Sequence, residues 1–101
     1  MQGTSSFCTV VEADHPALAG HFPGRPVVPG VILLDLVARA LRVAKGANAA
    51  IGGIRTAKFR SPVLPGENLV IELTAQDEAD ITFRILRGYT LVADGTLRVR
   101  T

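Results

Sequence analysis

Gly20-His21-Phe22-Pro23-Gly24-Arg25-Pro26-Val27-Val28-Pro29-Gly30 runs directly into Val31-Ile32-Leu33-Leu34-Asp35-Leu36-Val37-Ala38, and these two stretches decide how the chain is read. Three prolines and three glycines in eleven residues exclude a helix or an inner strand. Each proline fixes φ and removes a backbone donor, and each glycine permits turns that other residues resist. The first stretch is therefore a stiff loop that wraps something. A histidine stands near its start, a helix begins at its end, and one acid lies alone in the apolar run that follows. Those are the parts of an acid/base site.

Outward from this centre, the spacing predicts one helix over residues 30–45. Apolar residues fall on nearly every side of its first two turns, the pattern of a buried helix. Arg39, Arg42 and Lys45 emerge in its second half, where cations suit the helix dipole. Gly46 is placed as its stop. Residues 7–13 are short and rich in β-formers, a first strand, broken by Asp14-His15-Pro16. Asp14 is placed to cap a short turn through residues 16–19.

Beyond the helix everything reads as strand. Residues 51–60 form one, followed by the proline-bounded turn Ser61-Pro62-Val63-Leu64-Pro65-Gly66. Over residues 69–75, Leu69, Ile71, Leu73 and Ala75 alternate with Val70, Glu72 and Thr74. Residues 76–80 make a polar turn. Ile81, Phe83 and Ile85 face inward on a strand that continues past Gly88 to Ala93. Asp94-Gly95 signals a two-residue hairpin, and residues 96–100 close the sheet. The fold class is α+β: a curled antiparallel sheet of about five strands around one long central helix. Open edge strands in so small a sheet favour pairing with a second copy.

Composition narrows the class. The chain has 101 residues, one domain over 1–101, and 48% hydrophobic against 20% charged residues excludes disorder. A net charge of +2, with basic residues scattered, does not argue for nucleic acid. The single cysteine, Cys8, reads as a small buried hydrophobe in a strand and fits a reducing compartment. The N-terminus lacks the order of a signal peptide, and the longest apolar run falls short of the ~20 residues of a membrane span. The expectation is a cytoplasmic protein away from the membrane. No metal-ligand cluster or phosphate-cradling glycine motif occurs, so no metal or cofactor is implied.

The stretch His21-Phe22-Pro23-Gly24-Arg25-Pro26-Val27-Val28-Pro29-Gly30-Val31, with an acid at Asp35, resembles the active-site signature of the hot-dog-fold 3-hydroxyacyl-acyl-carrier-protein dehydratases, the FabZ and FabA group. Phe59-Arg60-Ser61-Pro62-Val63-Leu64-Pro65-Gly66-Glu67-Asn68-Leu69 is similar to that group's second proline turn, and Asp94-Gly95 to its last hairpin. Asp35 stands where one branch has glutamate and the other aspartate, and Arg39 where glutamine is common. The short length resembles compact dehydratase-like proteins of polyketide-type or aryl-polyene (ApeI-type) pathways, which act with a partner subunit.

The resemblance implies removal of water from a 3-hydroxyacyl thioester, carried by acyl carrier protein or coenzyme A, to give a trans-2-enoyl thioester. That reaction needs a base at C2, an acid at the C3 hydroxyl and a group that stabilises the thioester oxygen. His21 is the base, since neutral imidazole is available near neutrality. Asp35, desolvated among Leu33, Leu34, Leu36 and Val37, is the proton donor or the group that orients water. The Gly30 and Val31 N–H groups, at the helix start, polarise the carbonyl. Val31, Ile32 and Leu34 line an acyl tunnel, with Phe22 and Phe59 contributing. Asp35 lies roughly 7–8 Å along the helix axis from Gly30. His21 meets it only if the loop folds back or comes from a second subunit; the resemblance implies a dimer sharing its sites.

Other readings stand beside this one. His21 in a turn can simply bind loop backbone, and His15 is structural. Asp35 and Arg39 have the spacing of an ordinary helix ion pair, worth about 0.3–0.5 kcal/mol. Arg25, Arg55, Lys58 and Arg60 can receive an acidic carrier protein or remain solvated cations. A hot-dog thioesterase, or a non-catalytic acyl-binding subunit of a dehydratase complex, are the alternative functions.

Overall fold

The computed structural model describes residues 3–12 and 27–100. In chain order these form β1 (Thr4–Val10), α1 (Gly30–Lys45), β2 (Ala50–Phe59), β3 (Asn68–Ala75), β4 (Asp80–Arg87) and β5 (Thr90–Arg100). The strands make one sheet in the order β1-β3-β4-β5-β2, antiparallel at every pairing. This is the α+β architecture the sequence implies, with β1 and β2 at the edges.

Period-two alternation sorts the strand residues onto two faces. The inner face carries Leu69, Ile71, Leu73, Ile81, Phe83, Ile85 and Leu97, all at most 1% exposed. Against it α1 lays Ile32, Leu33, Leu36, Val37, Ala40 and Leu41. Val11, Val28 and Val63 join the same cluster, so the chain entering the helix and the second proline turn are parts of the core.

The outer face is polar by design of the register. Thr4, Thr74, Thr82, Thr96 and Thr56 stand opposite one another across all five strands. One step along, Ser6, Glu72, Arg84, Asp94 and Lys58 form a second row, in which charges alternate in sign. Thr4 and Thr74 hydroxyls are 2.8 Å apart, and Arg84 donates to Glu72 at 3.1 Å. Such cross-strand pairs each contribute a few tenths of a kcal/mol, on the order of 0.2–1. They also keep this face in water.

Four expectations are corrected. The first strand sits three residues earlier, because Thr4, Ser5 and Ser6 continue the ladder opposite Leu73, Glu72 and their neighbours. Cys8 is exposed rather than buried, since its register places it on the outer face. The helix is not apolar all round in its environment: Val31 is 72% and Val43 74% exposed, on faces that the sheet does not cover. Asp94-Gly95 is not a hairpin. β5 runs unbroken through it, and the β4–β5 turn falls at Gly88, whose φ of 60° is the left-handed conformation that glycine tolerates. Gly95 serves close approach instead. A methyl group there would meet the Thr56 carbonyl oxygen and lie 2.8 Å from the Phe83 ring. β2 carries a register shift just before this point, between Ile54 and Thr56.

The helix ends as expected. Gly46, at φ 114°, donates its N–H to the Arg42 carbonyl at 2.9 Å, and Arg42 and Lys45 occupy the last turn.

Candidate active site

The helix N-terminus is where the sequence elements converge. Pro29 occupies the N-cap and supplies no side-chain cap, and the first turn holds no acid. Pro29 O accepts from the Ile32 and Leu33 N–H groups at 3.0 and 3.4 Å. Among the described residues no hydrogen bond reaches the N–H of Gly30 or Val31. Among the described residues, then, these two donors at the positive end of the helix dipole have no acceptor.

Beside them opens a cleft of about 410 Å³, lined by Val27, Val28, Gly30, Leu33, Phe59 and the Arg60–Val63 segment. Gly30 has a steric reason to be glycine. A methyl group there would lie 2.9–3.1 Å from the carbons of the Phe59 ring, which rests against the start of the helix. The far wall is the second proline turn, fastened at both flanks. Val28 donates to Val63 O at 2.8 Å, and Gly66 donates to Val11 O at 2.8 Å. Arg60 at the rim is held by Asp94 at 2.9 and 3.2 Å, and that hydrogen bond and charge push its guanidinium above its ordinary pKa.

The expected site residues divide accordingly. Gly30 and Phe59 touch and share the cleft. Ile32 is 5% exposed and packs in the core, while its neighbour Leu33 reaches the cleft. Leu34 is half-buried on the flank of the helix. Val31 and Asp35, one turn apart, lie together on the face turned away from the sheet. His21 and Phe22, like His15 and Arg25, lie outside the described residues.

Asp35 does not have the desolvated setting expected of it. Its side chain is 51% exposed, and its carboxylate oxygen lies 3.2 Å from Arg39 Nε. The helix points it outward because positions 32, 33, 36 and 37 take the inward face. Of the cations considered for a carrier protein, Arg55 is engaged by Asp80 at 2.8 Å and Arg60 by Asp94. No group of three or more His, Cys, Asp or Glu among the described residues is placed to hold a metal ion. No described helix is long and apolar enough to cross a membrane.

A family description, ApeI-like (ApeI dehydratase), matches residues 2–96. The chain belongs to the ApeI-like dehydratase family. Among curated relatives of this family member, the 3-hydroxyacyl-acyl-carrier-protein dehydratase FabZ of Latilactobacillus sakei is 40% identical over 77 residues, 69% of this chain and 55% of the relative. FabZ of Enterococcus faecalis is 41% identical over 70 residues, 62% of this chain and 50% of the relative. The chain thus spans about half the length of the curated relatives it matches. In fold, the ApeI-like chain is similar to the dehydratase heterocomplex ApeI:P from Xenorhabdus doucetiae (TM-score 0.85, 22% identity, 100% of this chain and 90% of that one). The (R)-hydratase from A. caviae gives a TM-score of 0.78 at 24% identity, covering 99% and 96%. These likenesses establish the hot-dog fold.

Sequence reasoning missed Leu33, Val28 and Val63 as cleft residues. Leu33 reads as core, Val28 as loop and Val63 as turn, whereas all three belong to the buried cluster. The one signal available was the second proline turn itself, whose rigidity suits a wall.

Proposed function

We propose that this chain dehydrates 3-hydroxyacyl thioesters to trans-2-enoyl thioesters, at a site completed by a second subunit. One observation carries the reading: the helix start borders an apolar cleft at Gly30, and the Gly30 and Val31 N–H groups have no acceptor among the described residues, with Asp35 one turn beyond Val31 on the exposed helix face. The thioester oxygen accepts from those N–H groups as negative charge builds on it. His21 removes the proton from C2. The C3–O bond then breaks as the hydroxyl takes a proton, and water leaves as the C2–C3 double bond forms. The ion pair with Arg39 favours Asp35 as the group that orients the departing hydroxyl by accepting its hydrogen bond. The proton it needs is then the one held by His21.

The position of Asp35 supports a shared site. Val31 and Asp35 lie on the uncovered face of the helix, and the free edge of β2 carries Ile54 and Phe59, 52% and 49% exposed. A second copy or a related subunit pairing along β2 would cover all four. The relatives' names support a substrate carried on acyl carrier protein, and the ApeI:P heterocomplex supports a heteromeric partner.

The test follows a trans-2-enoyl thioester with the purified protein, alone and with a carrier protein. Loss of enoyl absorbance without free thiol supports the proposal, and thiol release supports hydrolysis instead. Asp35→Asn and His21→Ala should each lower the rate by about 10²–10⁴ while the fold persists. A folded protein whose turnover survives both substitutions would refute the assignment.

A further inference from the structure

The proline turn that walls the cleft is held from a strand that takes no part in the cleft. Arg87, the last residue of β4, donates from Nη1 to Pro62 O at 2.7 Å and to Glu67 Oε1 at 3.3 Å. Its Nη2 donates to Ser61 Oγ at 3.3 Å. Glu67 Oε1 in turn accepts the Leu64 N–H at 2.6 Å. One guanidinium and one carboxylate thus tie down residues 61, 62, 64 and 67. Ser61, Pro62 and Val63 are the cleft wall, and Val63 O is the acceptor that Val28 uses just before the helix.

We propose that Arg87, with Glu67, is a positioning pair that sets the width of the acyl cleft without touching the substrate. The inference rests on the dehydratase reading for what the cleft holds, and on geometry alone for what holds the cleft. The turn contains two prolines and cannot supply its own backbone ladder, so its placement depends on donors from outside. Pro62 O, without a ladder partner, receives its hydrogen bond from a fixed fork of N–H groups. Lysine cannot copy this, because a single ammonium does not present the planar fork that spans Pro62, Ser61 and Glu67. Both partners are 29% exposed, so the pair is screened less than a free surface ion pair.

The experiment compares Arg87→Ala, Arg87→Lys and Glu67→Ala with Arg84→Ala. Arg84 makes a similar ion pair with Glu72 on the outer face, away from the cleft. Kinetics use 3-hydroxyhexanoyl-pantetheine, and amide hydrogen exchange follows Val28, Leu64 and Gly66. Arg87→Ala and Glu67→Ala should each raise KM about tenfold with kcat within about twofold. Exchange at the three amides should rise, and the double variant should cost no more than the larger single one. Arg87→Lys should rescue the melting temperature but not KM, and Arg84→Ala should change neither KM nor exchange. If Arg87→Ala does not fold, Arg87→Lys and Glu67→Ala carry the test. Faster exchange with unchanged KM, or a fall confined to kcat, overturns the proposal. If the wild type shows no turnover, the dehydratase reading fails. The clamp is then judged by exchange and by calorimetric binding of the same thioester, and unchanged exchange or undiminished binding in Glu67→Ala overturns it.

Discussion

Alanine at position 95 would place a methyl group against the Thr56 carbonyl oxygen, 2.9 Å from the Thr56 carbonyl carbon and 2.8 Å from the Phe83 ring. The first two contacts are backbone, on a strand already displaced by a bulge, so no side chain can swing aside to relieve them. Phe83 is 1% exposed and has no room to retreat. Overpacking of this kind costs about 1–3 kcal/mol, and the backbone contacts put Gly95→Ala at the upper end of that range. The gain from replacing glycine in a strand offsets about 0.5–1 kcal/mol. A net loss of about 2 kcal/mol lowers the melting temperature by roughly 8–16 °C for a domain of this size. Thermal and urea unfolding followed by circular dichroism measure it, with the m value expected to hold. Gly53→Ala is the internal control, since its methyl would find only Arg98 Cβ at 3.8 Å, an ordinary contact. Gly95→Ala within about 0.5 kcal/mol of wild type would refute the reasoning. It would mean that β5 is interrupted at Asp94-Gly95 after all.

The other predictions test neighbouring parts of the fold. Asp94→Asn should lower the melting temperature slightly, because it removes the ion pair with Arg60; a turn at this position would instead be improved by Asn-Gly. Gly88→Ala should cost about 1–2 kcal/mol in urea unfolding, since at a φ of 60° the alanine Cβ crowds the following carbonyl oxygen. Asp77 accepts N–H hydrogen bonds from Asp80 and Ala79, which in that order hold its carboxyl below the ordinary 3.8. A folded pKa below the unfolded one adds stability that is present above about pH 3.8 and lost as pH falls through the folded value. Asp77→Asn should flatten that part of the pH–stability curve, read from melting temperatures in acid. Ile54→Lys tests the proposed pairing along β2: it should shift that assembly toward a folded monomer in analytical ultracentrifugation, and an unchanged assembly would refute the pairing.

Local sequence carried much of the architecture because its signals are local. The helix over 30–45 is bounded by Pro29-Gly30 at one end and Gly46 at the other, and its limits follow from backbone chemistry alone. The alternation over 69–75 names the inward residues because a strand has a period of two. β1 and β5 misled for the same reason. β1 carries threonine and serine, which serve an outer-face ladder as readily as a loop. Asp94-Gly95 resembles a turn to its neighbours in sequence, yet the space around Gly95 is set by Thr56, 39 positions away.

From sequence alone came the residues proposed for the site: His21 in a proline- and glycine-rich stretch outside the described residues, the amides at the helix start, a lone acid at Asp35, and a second proline turn. What the tertiary structure alone decided was their surroundings. Asp35 has apolar neighbours along the chain, but a helix sends those neighbours inward to the sheet and leaves the acid outside beside Arg39. Leu33 and Val63 become walls of a cleft, and Arg87 a brace behind one of them, through contacts between residues distant in the chain. Residue types and backbone propensities are properties of short segments, whereas exposure, ion pairing and cleft shape depend on which segments the sheet brings together.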